Sequence, residues 1–143
     1  MTPEQLEKLR AELIRDEALR LMPYVDTVGK VTIGVGRNLT DKGITNEEAN
    51  LMLDNDIQEH LKLLDDNLEW WRTMTDNRQR VLANMAFNMG VPNLITKNPK
   101  MLALMKAGAF VAAGNEVLNG PWSSQVKGRA FRISEQLKTG KWK

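Results

Sequence analysis

Between residues 22 and 39 the hydrophobic pattern of this chain stops repeating every three to four residues and begins to alternate. Val31, Ile33 and Val35 are spaced by Thr32 and Gly34, the period-two signature of a half-buried strand. Asp26-Thr27-Val28-Gly29 reads as a turn, and Pro23, Gly34 and Gly36 punctuate the segment. Helical patterns flank it on both sides. From Thr2 to about Arg20, Leu6, Leu9, Leu13 and Glu17 fall on one face, with Thr2 as cap and Pro3 in the first turn. After Thr40-Asp41-Lys42-Gly43, the capping box Thr45-Asn46-Glu47-Glu48 opens a long helix running to about residue 66. Shorter helices are expected at about 78–89, 99–106, 109–118 and 128–138, broken at Gly90-Val91-Pro92, Gly108 and Gly120-Pro121. The order predicts a mostly helical α+β fold. It has a small N-terminal β-hairpin or sheet lobe, a long bridging helix, a C-terminal helical lobe, and room for a cleft between lobes. A single domain over 1–143 is expected, with sub-lobes at 13–60 and at 1–12 plus 61–143.

With 143 residues, 42% of them hydrophobic, the chain can close one apolar core. It has no apolar run long enough to span a bilayer and no basic, apolar leader, so synthesis in the cytoplasm is expected. Cysteine is absent, which removes disulfides, thiol nucleophiles and thiolate metal sites. His60 is the one histidine, too few for an imidazole-rich zinc site. There is no G-x-S-x-G elbow and no phosphate-binding loop. No cofactor and no metal are therefore expected, and any acid–base chemistry rests on carboxylates. Residues 1–76 carry 9 Lys and Arg against 16 Asp and Glu, a net −7. Residues 77–143 carry 11 against 2, a net +9. The basic half fits a polyanionic partner such as nucleic acid, cell wall or an anionic lipid surface; its bland alternative is a solvated face.

Hydrolysis of a glycosidic bond usually takes two carboxyl groups across that bond. One must hold a proton, which a partly buried helical position favours; the other must be ionised, which a turn favours. Glu17 and Asp26 fit these two descriptions, and Thr32 could hold a water beside them. Spacing alone also fits a surface Glu paired with Arg20 or Lys30, an ordinary turn Asp and an edge-strand Thr.

The stretch Leu13-Ile14-Arg15-Asp16-Glu17-Ala18-Leu19-Arg20-Leu21-Met22-Pro23-Tyr24-Val25-Asp26, continuing Thr27-Val28-Gly29-Lys30-Val31-Thr32-Ile33-Gly34-Val35-Gly36, resembles the active-site block of phage-type lysozymes, the T-even branch especially. The similarity continues at Gly43–Ala49 and Asn84–Gly90. It closes at Trp122, Gly128-Arg129-Ala130 and Thr139-Gly140-Lys141-Trp142. The resemblance implies a muramidase that cuts the β-1,4 bond between N-acetylmuramic acid and N-acetylglucosamine in peptidoglycan. It implies Glu17 as general acid, Asp26 with Thr32 activating water, and inversion at the anomeric carbon. It further implies Phe87 as a cleft wall, Asn38 at a substrate-contact position and Arg129 as a partner near Glu17. The resemblance fits an endolysin, a monomer made in the host cytoplasm, released through a holin pore and acting in the periplasm or wall; a tail-associated or prophage-borne copy fits equally. Contact with anionic wall or lipopolysaccharide would use the basic half, and no nucleic acid is expected.

The chain departs from the family where Arg37 follows the T-I-G-x-G run in place of a frequent His. Arg37 stays charged throughout the working range, so a pair built on it does not switch between pH 5 and 8. Asn38 stands in place of an apolar residue, and Val126-Lys127 replace a polar-Pro pair. His60 reads as a surface or satisfied histidine, Trp70-Trp71 as core before sugar platform, and the eight methionines as packing residues. The alternatives are a lytic transglycosylase, which needs one Glu and leaves Asp26 and Thr32 idle, and a wall- or nucleic-acid-binding module, which needs none of the three.

Overall fold

The computed structural model describes residues 1–143. The chain forms eight α-helices and one three-stranded antiparallel sheet, the α+β architecture read from the sequence. The chain divides into two compact units, Met1–Leu51 and Met52–Lys143, a division that keeps the first helix with the sheet.

In the first unit, α1 spans Pro3–Glu17. The Thr2 hydroxyl accepts the Gln5 N–H at 3.3 Å, and Glu4–Lys8 adds an ion pair one turn along at 2.8 Å. The helix ends three residues earlier than its periodicity predicts. Ala18 turns the chain with φ +61, costly for a residue with a Cβ. Leu19 and Arg20 then pair with Val35 and Gly34, so sheet pairing overrides local helical preference. Strand β1 is Leu19–Val25, β2 is Val31–Val35 and β3 is Arg37–Asn38, in the order β1-β2-β3. Between the pairs Arg20↔Gly34 and Tyr24↔Thr32 the register shifts, leaving Leu21, Met22 and Pro23 opposite Ile33 alone. A bulge at that point suits Pro23, which has no N–H to give a ladder. Thr32 is the single buried residue of this unit. The stripe Leu6, Leu9 and Leu13 stays 48%, 37% and 45% exposed.

Helix α2, Asn46–Asn67, begins at the expected capping box. Thr45 Oγ1 accepts from Glu48 N at 3.2 Å, and Glu48 Oε2 accepts from Thr45 N at 2.8 Å. In the second unit a 3₁₀ turn at Trp71–Thr73 leads to α3 (Asp76–Met89), α4 (Val91–Lys97), α5 (Pro99–Lys106), α6 (Phe110–Asn119), α7 (Pro121–Gln125) and α8 (Lys127–Thr139). Two of these were read as breaks in the sequence. Pro92 and Pro121 sit in the first turns of α4 and α7, where a missing N–H costs nothing. The core gathers Leu64, Trp71, Leu82, Met85, Leu94, Met101, Met105, Ile133 and Leu137, all under 2% exposed. Trp71 is core, and its indole N–H donates to Asp65 at 2.8 Å. Helices α6 and α8 meet at backbone distance: a Cβ on Gly114 would stand 2.8 Å from the Ser134 carbonyl. The buried Ser134 hydroxyl donates to the Gly114 carbonyl at 2.7 Å.

Candidate active site

Glu17, Asp26, Thr32 and Asn38 all belong to the first unit, and β1 and β2 order them. Glu17 is the last residue of α1. Its carboxylate lies against the Cα of Gly36, where a Cβ would stand 3.0 Å from Oε2. Neither Arg20 nor Lys30 pairs with it; Lys30 goes instead to Asp41 at 3.1 Å. The Glu17 side chain is exposed, whereas its helical position led us to expect a partly buried carboxyl.

Asp26 follows β1 directly and is half-buried. Its Oδ1 accepts the Val28 and Lys30 N–H groups at 2.9 and 2.8 Å, and its own N–H donates to the Lys30 carbonyl at 2.9 Å. The turn-forming role and the chemical one are therefore compatible. One oxygen is fixed by the turn, and Oδ2 carries no hydrogen bond within the unit. Thr32 is 4% exposed and pairs with Tyr24 on one side and Asn38 on the other. Its hydroxyl donates to the Lys30 carbonyl at 3.1 Å. With that proton committed, its lone pairs are left to accept.

Asn38 is occupied locally: its amide donates to Asp41 Oδ2 at 2.9 Å and its Oδ1 accepts from Asp41 N at 3.0 Å. Arg37 has a partner that its sequence context did not name. Nη1 and Nη2 grip Glu48 at 2.7 and 2.6 Å, and Nη1 also reaches the Gly43 carbonyl at 3.3 Å. The Arg37 fork and the Thr45 amide hold the Glu48 carboxyl at about 2, well below the ordinary range. Glu48 could be found in the sequence as a capping residue, but nothing there marked it as the mate of Arg37.

Phe87 and Arg129 belong to the second unit. Phe87 is 41% exposed, and its ring centroid stands 5.3 Å from that of His60. Both rings line a cavity of about 500 Å³ with Leu53, Ile57, Ala83, Asn84 and Arg129. Arg129 is held on Asn84, Nε to the side-chain oxygen at 2.8 Å and Nη2 to the carbonyl at 2.9 Å. Asn84 was legible only as part of the Asn84–Gly90 block. Glu116, on α6, forms an ion pair with Lys100 at 3.1 Å.

The chain is thus mostly helical with one small antiparallel sheet, and Glu17, Asp26 and Thr32 lie on that sheet, its first turn and its leading helix. The phage lysozyme family pattern matches residues 15–134. The chain belongs to the phage lysozyme family and is thus an enzyme of the lysozyme class, the peptidoglycan hydrolases. It is 34% identical over 159 aligned positions to the pre-baseplate central spike protein Gp5 of Enterobacteria phage T4; the match covers 91% of this chain but 28% of that protein. It is 28% identical to the Dictyostelium discoideum protein named "Probable T4-type lysozyme 2", over 94% of this chain and 96% of that one. Its identity to "Probable T4-type lysozyme 1" of the same organism is 25%, over 87% and 90%. No helix is long and apolar enough to cross a membrane.

Proposed function

We propose that this chain, as one lysozyme domain, hydrolyses the β-1,4 bond between N-acetylmuramic acid and N-acetylglucosamine within glycan strands. Glu17 protonates the leaving oxygen, and Asp26 with Thr32 activates the attacking water. The observation that carries the reading is the state of Asp26 and Thr32. A carboxylate with one oxygen pinned and one free lies one turn from a nearly buried hydroxyl whose proton is already spent. A transglycosylase has no use for such a pair. Glu17 is exposed, so a bound glycan covers it and excludes water from around the bond it cuts. Inversion requires the carboxyl groups to stand about 6.5–9.5 Å apart around a water. Phe87, Asn38 and Arg129 are the substrate contacts we assign on the same reading.

Digestion of purified peptidoglycan, with fragment ends identified by mass spectrometry, tests the proposal. Wild type should release reducing ends and Glu17→Gln none. Anhydro-muramic ends would transfer the chain to the transglycosylases, and intact peptidoglycan from wild type would leave a binding module. The basic half, net +9 over residues 77–143, holds the enzyme on anionic wall or lipopolysaccharide. Added salt should then depress lysis of whole cells more than cleavage of small chitooligosaccharides.

Acting as a holin-dependent endolysin is the first biological reading. The 34% identity to a baseplate spike protein favours a second, a lysozyme domain carried on the virion. Immunodetection in purified virions against lysate supernatant decides between them.

A further inference from the structure

Gly34 and Gly36 have nearly the same positive φ, +70 and +65, on either side of Val35. Their surroundings differ. A Cβ at Gly34 meets nothing within 4 Å, whereas a Cβ at Gly36 meets Glu17 Oε2 at 3.0 Å, Cδ at 3.3 Å and Cγ at 3.4 Å. Gly36 is therefore bare for the sake of the carboxylate as well as for the turn. The tip that holds it is weakly tied on its own account. β3 is two residues long, and its ladder consists of Thr32↔Asn38 and Ile33↔Arg37. The strong tie comes from the next side chain. Arg37 makes a two-pronged, charge-assisted bond to Glu48 and a third contact to the Gly43 carbonyl. Glu48 is itself locked to Thr45 at the start of α2. A capping residue needs one carboxylate oxygen; here Oε2 caps and also meets Nη1, and Oε1 is given wholly to Arg37.

We infer that Gly36 is the seat of the Glu17 carboxylate, and that the Arg37–Glu48 fork, by fixing β3 to the first turn of α2, sets where that seat lies. Glu48 and Arg37 are thus positioning residues for the acid, acting through the backbone at residue 36. The inference rests on Glu17 being the general acid. It makes the arginine a rigid tie that does not titrate.

The two glycines provide a matched pair for the test, because alanine at either position meets a similar positive φ. On purified peptidoglycan, kcat should fall at least tenfold in Gly36→Ala and less than threefold in Gly34→Ala, with similar melting temperatures. Glu48→Gln keeps the capping box, where Gln serves as well as Glu, and loses the charged fork. Its kcat should fall about three- to tenfold with KM within twofold, and the pKa of the basic limb of its pH–rate profile should move. In Gly36→Ala/Glu48→Gln the losses should be less than multiplicative, since both act on one backbone position. Equal kcat in the two alanine variants, or fully multiplicative losses in the double variant, overturns the seat while leaving Glu17 as acid. Full activity in Glu17→Gln overturns the acid and the seat together.

Discussion

Residues 1–51 bury one residue, Thr32, while residues 52–143 bury eighteen apolar ones in a continuous core. The first unit is tied by short polar bonds: the Asp26 turn, the Asn38–Asp41 pair, and the Arg37 fork. The second is held by helices packed so closely that Gly114 touches the backbone of α8. The difference separates two tasks. Apolar packing is non-directional and supplies free energy. Charge-assisted and turn hydrogen bonds add little net stability in water, but they fix an oxygen atom to within tenths of an ångström. The unit that carries the candidate carboxylates is built from the second kind of bond.

The strongest attempt to break this comparison is Asp26→Asn. Asparagine keeps the side-chain oxygen that closes the turn and removes the charge. Activity on peptidoglycan should fall about 10²–10⁴-fold, while the melting temperature moves by no more than about 2 °C. A large loss of stability would show that the charge holds the unit together, and the two tasks would not be separate.

The same separation explains what could be read in the sequence. Elements defined by local chemistry were legible: the caps at Thr2 and Thr45, the strand alternation around Thr32, the turn at Asp26 and the apolar spacing of α3 and α8. The end of α1 was not. Residues 18–20 continue a helical pattern, and only pairing with Val35 and Gly34, distant in sequence, makes them turn and extend. Helices α4 and α7 hid behind prolines, which mark a helix start as readily as a break. The candidate trio was visible because a family resemblance singled it out; a Glu, an Asp and a Thr at those spacings are common. The bond from Arg37 to Glu48 crosses eleven residues, and no periodicity encodes such a pair.

Two stability measurements sharpen the contrast. Leu82→Ala empties a site that is 0% exposed and should cost about 2–5 kcal/mol in urea unfolding. Leu9→Ala, on the open stripe of α1, should stay within about 0.5 kcal/mol, helped by alanine's helix propensity. Equal costs would mean that the stripe is covered in solution. Gly114→Ala comes next. Its new methyl would stand 2.7 Å from Lys138 Cγ and 2.8 Å from the Ser134 carbonyl. The side chain can move but the backbone cannot, so α6 and α8 must part, at about 1–3 kcal/mol.

The smallest effect is the acid response of the two Arg–carboxylate forks, one in each unit. Glu48 is lowered from 4.5 to about 2, chiefly by Arg37 and then by the Thr45 amide. Asp65 is lowered from 3.8, first by Arg72 and then by the Trp71 indole. A depressed carboxyl pKa favours the folded state above the unfolded pKa, and this contribution disappears as pH falls through the folded pKa. Both ties are therefore intact from pH 5 upward; the Glu48 tie weakens between about pH 4.5 and 2, and the Asp65 tie weakens as pH falls below 3.8. The contrast between the units predicts where each loss is felt. Asp65 braces Trp71 in the core, so Asp65→Asn should flatten the fall of the global unfolding midpoint below pH 4. Glu48 holds a loop outside any core, so its protonation should appear first as faster hydrogen exchange at the Thr45 amide, with the global midpoint following its own course. If Glu48→Gln flattens the global acid transition as much as Asp65→Asn does, polar ties stabilise the first unit to the same degree as they brace the second, and the division between packing and positioning fails.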